Sequence, residues 1–432
     1  MSGTIFLSFL GTNNYMECIY RFNDSVQFKT RYTQIAIIRK HLSEFNEYLF
    51  FVTVDARKNN WDPENTLKSE LCKLERINQE CIKQIDIPNG FNNDELLEIF
   101  NKLVSNIPEN SKLIIDVTHS FRSLPLTLGS VLEYLKKVKN TEVVHIYYGA
   151  FEVLGNPRDV GSTPVHARVA PMLDLTYLSA IQDWTSAIEH FLKFGNITKL
   201  KELSEKAIIP ILRETQGKDE VAKELTFIVE TLDKLLSAVY TCRSKLIFEE
   251  LGKGKIEKLI KSIDIIINKN YLLPQLNEPF RKIKEKLLTV KTDNSFLTAI
   301  NFVGWCIDFN WIQQGYTLLQ ENLCSYILDN YFEKDYINLN ERVSLSSALK
   351  IIEENIAEDN WRGDKELIRF YVDRKDKIIN IAKIYNELSE YRNDLNHAGY
   401  RSNSKKVLDI REKLENFFKE VKNEVAKKGQ NG

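Results

Sequence analysis

Thr4-Ile5-Phe6-Leu7-Ser8-Phe9-Leu10 is a short, almost unbroken apolar run that stops at the small polar stretch Gly11-Thr12-Asn13-Asn14-Tyr15. Four further runs of the same kind follow: residues 48–54 (YLFFVTV), 82–87, 112–117 (KLIIDV) and 141–149 (TEVVHIYYG). Between them, residues 32–45, 66–80, 94–104 and 124–138 carry apolar side chains at helical spacing. Residues 16–22 and 25–29, joined at Asn23-Asp24, alternate like a hairpin. Continuous apolar strands separated by amphipathic helices predict a parallel sheet covered on both faces, the doubly wound α/β class. In such sheets ligands bind beyond the carboxyl ends of the strands, where the strand order reverses.

The loops expected at that edge are residues 11–15, 55–58, 116–123 and 149–152. The second carries Asp55, Arg57 and Lys58; the third holds Asp116, Thr118, His119, Ser120 and Arg122 ahead of a helix. Backbone N–H groups at a helix start beside an arginine favour an anion. Neither G-x-G-x-x-G nor G-x-x-x-x-G-K-[ST] occurs, which disfavours an ordinary dinucleotide fold or a P-loop.

From about residue 175 the strand pattern stops and long amphipathic helices take over. The composition, 43% hydrophobic and 28% charged in 432 residues, is that of a soluble chain of two or three domains. A net charge of −1 gives no global basic field for duplex DNA, so nucleic acid would need a local groove. Six scattered cysteines without a C-x-x-C pair argue against zinc and disulfides and fit a reducing cytoplasm. Neither a signal peptide nor a membrane span is expected.

Near the end of the chain, Ile381, Ile384, Tyr385, Leu388, Tyr391 and Leu395 form one helical stripe, and Arg392 stands where another leucine is expected. Asn393 and His397 are four apart, hence stacked on one face, and Gly399 reads as the residue just past the helix. A fixed cation beside a titratable imidazole can cleave RNA without metal. The 2′-OH attacks its own phosphate, the guanidinium offsets phosphorane charge, and the histidine serves as base, acid or electrostatic group. Asn393 can orient the imidazole. No cluster of metal-ligand spacing lies near Arg392, so no metal is expected at the site.

Two resemblances follow. Residues 9–15 with the hairpin, residues 116–125, Tyr148-Gly149-Ala150-Phe151-Glu152 and residues 174–184 are similar to motifs of the CARF domain, the Rossmann-like nucleotide sensor of CRISPR-associated proteins. Arg392-Asn393-Asp394-Leu395-Asn396-His397 matches the Arg-Asn-x-x-x-His signature of HEPN ribonucleases, and residues 313–321 resemble that domain's first long helix. Their order in one chain resembles the CARF–HEPN ancillary ribonucleases of type III CRISPR systems. That resemblance implies a CARF domain at 1–178, a helical connector at 179–295 and a HEPN helical bundle at 296–432. It also implies a cytoplasmic homodimer that binds a cyclic oligoadenylate and cuts single-stranded RNA. Cyclic tetra-adenylate is expected as activator ahead of cyclic hexa-adenylate, with no catalytic cofactor and no stable contact with the interference complex. Gly11, Thr12, Asn13, Asn14, Tyr15, Asp55, Thr118, His119, Ser120 and Arg122 are the expected ligand-binding residues; Arg392, Asn393 and His397 are the expected catalytic ones. The alternatives are a ligand-gated regulator whose helical part is structural, and a ring nuclease in which Thr12, Thr118 and His119 act on the cyclic nucleotide.

Overall fold

The computed structural model describes residues 3–42, 44–64, 66–75, 77–119 and 124–430. The chain divides into two compact units, Met1–Ala180 and Ile181–Gly432.

The first unit is built on one eight-stranded sheet: β1 (Thr4–Leu10), β2 (Cys18–Arg21), β3 (Gln27–Thr30), β4 (Glu47–Val52), β5 (Ile82–Asp86), β6 (Lys112–Asp116), β7 (Glu142–Gly149) and β8 (Val169–Asp174). Their order is β3-β2-β8-β7-β6-β1-β4-β5. The strands β7, β6, β1, β4 and β5 run parallel, as the apolar runs predict. The β2–β3 hairpin and the β7–β8 pair are antiparallel. Strand β8 joins the hairpin to the sheet and is not apparent in the sequence. It is short and contains Pro171, which lacks the N–H of a central strand; the Pro171 carbonyl still accepts from Ala150 N at 3.0 Å.

Helices α1 (Thr33–Lys40), α2 (Val54–Asn60), α3 (Leu67–Cys72), α4 (Asn93–Asn106), α5 (Leu124–Val138) and α6 (Pro157–Ser162) complete the unit. Alternation along the strands makes two cores. Phe6, Phe50, Val52 and Ile114 pack with Ile35 and Ile37 of α1 on one face. Ile5, Leu7, Phe51 and Ile115 pack with Leu103 of α4 and Val131 of α5 on the other. The long helix expected over 66–80 is only the short α3 followed by a single 3-10 turn at Gln79–Cys81. Residues 55–58, expected as a loop, lie in α2, because the Thr53 hydroxyl caps Ala56 N at 3.2 Å directly after β4.

Past α7 (Thr176–Phe194), the second unit is helical throughout its described residues: α8 (Thr198–Glu214), α9 (Glu220–Tyr240), α10 (Ser244–Gly252), α11 (Lys255–Asn268), α12 (Asn277–Leu288), α13 (Ser295–Asp308), α14 (Ile312–Phe332), α15 (Leu339–Glu354), α16 (Lys365–Val372), α17 (Ile379–Asn396) and α18 (Val407–Gln430). Helix α14 is buried nearly all round, polar Gln320, Asn322 and Ser325 included, because α13, α15, α17 and α18 surround it. At Gly315 it comes so close to α18 that an added Cβ would stand 2.6 Å from Leu414 Cδ2. No helix among the described residues is long and apolar enough to cross a membrane.

Candidate functional sites

In the first unit, β1 is the point where the strand order reverses, with β4 on one side and β6 on the other. The loops after β1 and β6 therefore open onto a crevice at the carboxyl edge. A cavity of about 530 Å³ lies there, lined by Asn13, Asn14, Tyr15, Thr118 and His119 together with Tyr20, Arg31, Tyr148, Gly149 and Glu152. Its framework is polar and buried. Asp116, at the end of β6, accepts from Thr33 Oγ1 at 2.8 Å, Ser8 Oγ at 3.2 Å and Thr118 N at 3.0 Å. The Thr118 hydroxyl accepts from Gly149 N at 2.8 Å, tying the β6 loop to the end of β7.

The loop after β1 is held from behind by α2. Asn60 Nδ2 donates to the carbonyls of Gly11 (2.8 Å) and Asn13 (3.0 Å), and Asn59 Nδ2 to that of Thr12 (3.0 Å). Gly11 N donates to Tyr15 Oη at 2.8 Å, and the Tyr15 ring meets the His119 ring edge-on with centroids 4.4 Å apart. A Cβ on Gly11 would meet the Tyr15 hydroxyl at 2.8 Å. Burial pushes the His119 imidazole below its ordinary value against the opposing pull of Asp116. Its Nε2 is buried without a hydrogen-bond partner among the described residues. Burial likewise raises the Tyr15 and Tyr20 phenols. Burial and then the Glu152 carboxylate raise Tyr148, which donates to Glu152, to about 12.

Asn13, Asn14, Tyr15, Thr118 and His119 thus share one cavity. Gly11 and Thr12 do not line it, their carbonyls being held by Asn60 and Asn59, and Asp55 is exposed on α2 and does not line it either. Ser120 and Arg122 lie outside the described residues. Arg31, which makes no ion pair among the described residues, brings a cation to the cavity from the β3–α1 junction. Its only sequence signal was its place just ahead of a helix start.

In the second unit, α17 ends one residue earlier than the glycine suggests. His397 is its C-cap, and both Ala398 (φ +52°) and Gly399 (φ +74°) turn left-handed beyond it. The apolar stripe of α17 is spent inside this unit: Ile381, Tyr385 and Leu388 are buried, with α14, α15 and α18 around the helix. It is therefore not an open face for a second chain. Arg392 interrupts the stripe because it faces polar residues of α14. Its Nη1 lies 3.2 Å from Glu321 Oε1 and donates at 3.2 Å to Gln320 Oε1. Glu321 is held in turn by Arg342 Nη2, 2.6 Å from Oε2.

Arg392 and Glu321 line a cavity of about 380 Å³ with Arg243, Lys245, Arg342 and Cys242. His397 and Asn393 are exposed and do not line it. Asp394 is buried between them and accepts from Lys405 N at 3.1 Å, closing the turn that follows the helix. Beyond His397 come Tyr400, Val407 and Leu408, at 94%, 83% and 89% the most exposed large apolar side chains among the described residues. Gln320 and Glu321 close the stretch 313–321 singled out by resemblance, whereas Arg342 has no local signature; only the packing of α14 and α15 on α17 brings the three to Arg392. No group of three or more His, Cys, Asp or Glu among the described residues could hold a metal ion.

Residues 5–152 match the family described as CRISPR system endoribonuclease Csx1, CARF domain. The CRISPR-associated protein MJ1674 of Methanocaldococcus jannaschii is 26% identical over 304 residues, which cover 66% of this chain and 42% of that protein. The chain thus spans less than half the length of this curated relative.

Proposed function

We propose, from the premise that the chain is a CARF-containing CRISPR-associated protein whose first domain senses a cyclic oligoadenylate, that it is an activator-gated endoribonuclease of type III CRISPR defence. In this reading residues 1–178 bind the activator, 179–295 are a helical connector, and 296–432 form a HEPN-like domain that cuts single-stranded RNA without metal. The activator is cyclic tetra-adenylate, held by residues 11–15 and 118–122 of two subunits.

One observation carries the nuclease assignment. Arg392 is gripped by Glu321 and Gln320 on a cation-lined cavity, while His397 stands exposed at the helix end and the exposed apolar side chains Tyr400, Val407 and Leu408 follow it in the chain. A two-fold dimer that covers Tyr400, Val407 and Leu408 would bring two Arg-His pairs into one cleft. There the 2′-oxygen of RNA forms a bond to phosphorus and the P–O5′ bond breaks. The 2′-OH loses a proton and the 5′-oxygen gains one, leaving a 2′,3′-cyclic phosphate and a 5′-OH. Arg392 offsets the charge on the non-bridging oxygens, and His397 acts on the moving proton or on that same charge.

The test is cleavage of a labelled single-stranded RNA in EDTA, with no activator, with cyclic tetra-adenylate and with cyclic hexa-adenylate. Cutting is expected only with an activator present, and with the tetramer first. Intact RNA under all three conditions overturns the reading.

A further inference from the structure

The cavity beside Arg392 is also lined by Cys242, Arg243, Ser244, Lys245 and Phe248, a part of the chain outside residues 296–432. Its far wall is the start of α10. Arg243 occupies the N-cap position there but provides no side-chain cap, so the first N–H groups of this nine-residue helix have no partner from that side chain. Arg243 and Lys245 are exposed on the cavity and make no ion pair among the described residues. Arg342, across from them, already donates to Ser325 Oγ, the Tyr336 carbonyl and both the carbonyl and the carboxylate of Glu321. It adds field rather than a free contact. Among the described residues the lining therefore sets four cations against one carboxylate, Glu321, which two arginines already share.

Two buried donors at this site are also unanswered. Ser244 Oγ and Arg392 Nε have no hydrogen-bond partner among the described residues. A ring of cations in which Arg243 and Lys245 make no ion pair among the described residues suits an anion that brings several acceptor oxygens. Phe248 and Tyr336, with ring centroids 5.5 Å apart, form an apolar wall beside them.

We infer that this cavity seats a phosphodiester of the RNA strand adjacent to the scissile one. The helix start Arg243-Ser244-Lys245 grips the phosphate, and the neighbouring nucleoside lies against Phe248 and Tyr336. The inference rests on the ribonuclease reading, because Arg392 belongs both to this cavity and to the proposed cutting site. It assigns α10, in the stretch between sensor and nuclease, a direct role in holding substrate.

The experiment uses the full chain carrying His397→Ala, so that RNA is bound rather than consumed. Affinity for a single-stranded oligonucleotide is read by fluorescence anisotropy across a salt series, with and without Arg243→Ala/Lys245→Ala. Each phosphate contact on a single strand contributes about 0.7 to the slope of log affinity against log salt. The double variant should bind at least about tenfold more weakly, with a slope shallower by about 1.4, and melt like its parent. Arg243→Lys/Lys245→Arg should restore the slope. Equal affinity and slope in parent and double variant overturn the inference while leaving the nuclease reading standing. If the unmodified chain neither binds nor cuts RNA with activator present, the nuclease reading falls first and takes this site with it.

Discussion

The two cavities differ in how much of a site one chain completes. In the first unit the residues of separate loops converge: Tyr15 meets His119, Thr118 holds the end of β7, and Asn60 braces the loop after β1 from behind. In the second unit two residues five apart diverge. Arg392 turns inward to Glu321, while His397, past the last helical turn, is exposed. Proximity in sequence is thus a poor guide to convergence at a helix end, and remote loops on a sheet edge are a good one. Charge divides the cavities as well. Among the described residues one cation and one carboxylate, Arg31 and Glu152, line the first, beside tyrosines and asparagines that suit stacking and hydrogen bonding. The second is strongly basic, which suits phosphates.

The sharpest break of this contrast is kinetic. Arg392→Ala and His397→Ala should each lower activated RNA cutting by at least about 100-fold, the scale of a lost general acid-base or charge-stabilising group, with unchanged melting curves. Undiminished cutting by both variants would make the divergence of the two side chains irrelevant.

Next in size is a change to the brace of the first cavity. Asp116→Asn converts an acceptor of three hydrogen bonds into a group that must also donate beside Ser8, Thr33 and Thr118 N. It should cost about 1–3 kcal/mol, read as a lower melting temperature of the first unit, and weaken activator binding. A smaller effect separates the units by pH. Burial lowers both His41 and His119, so the unfolded chain takes up protons more readily than the fold does. Stability from this source is complete above the ordinary histidine value near 6.5 and is lost as pH falls below it. The first unit should melt earlier at pH 5.5 than at 7.5, and His41→Gln/His119→Gln should flatten that dependence.

The smallest expected change lies at the turn after His397. Ala398 is held at φ +52°, where an L residue is strained by roughly 1–2 kcal/mol; glycine removes that strain but has more freedom to lose on folding. Ala398→Gly should therefore raise the stability of the second unit by a few tenths to about 1 kcal/mol. A lower melting temperature would mean that the turn is held by something other than its backbone.

By itself the sequence determined the periodic features. Unbroken apolar strands with amphipathic helices between them specify the parallel strands of the sheet, Asn23-Asp24 its hairpin, and the Arg392–His397 spacing a helix end. These are legible because a strand or helix writes its buried face into neighbouring residues. Strand β8 was hidden, since Pro171 contradicts the pattern a central strand should have and only its neighbours β2 and β7 hold it in place. The partners of each candidate site were hidden for the same reason. Arg31 reaches the first cavity, Asn60 supports its loop, and Gln320 meets Arg392 across 72 residues of chain, all by packing of separate elements. Only the tertiary structure decided which side chains share a cavity, because that depends on contacts between elements that leave no period in the chain.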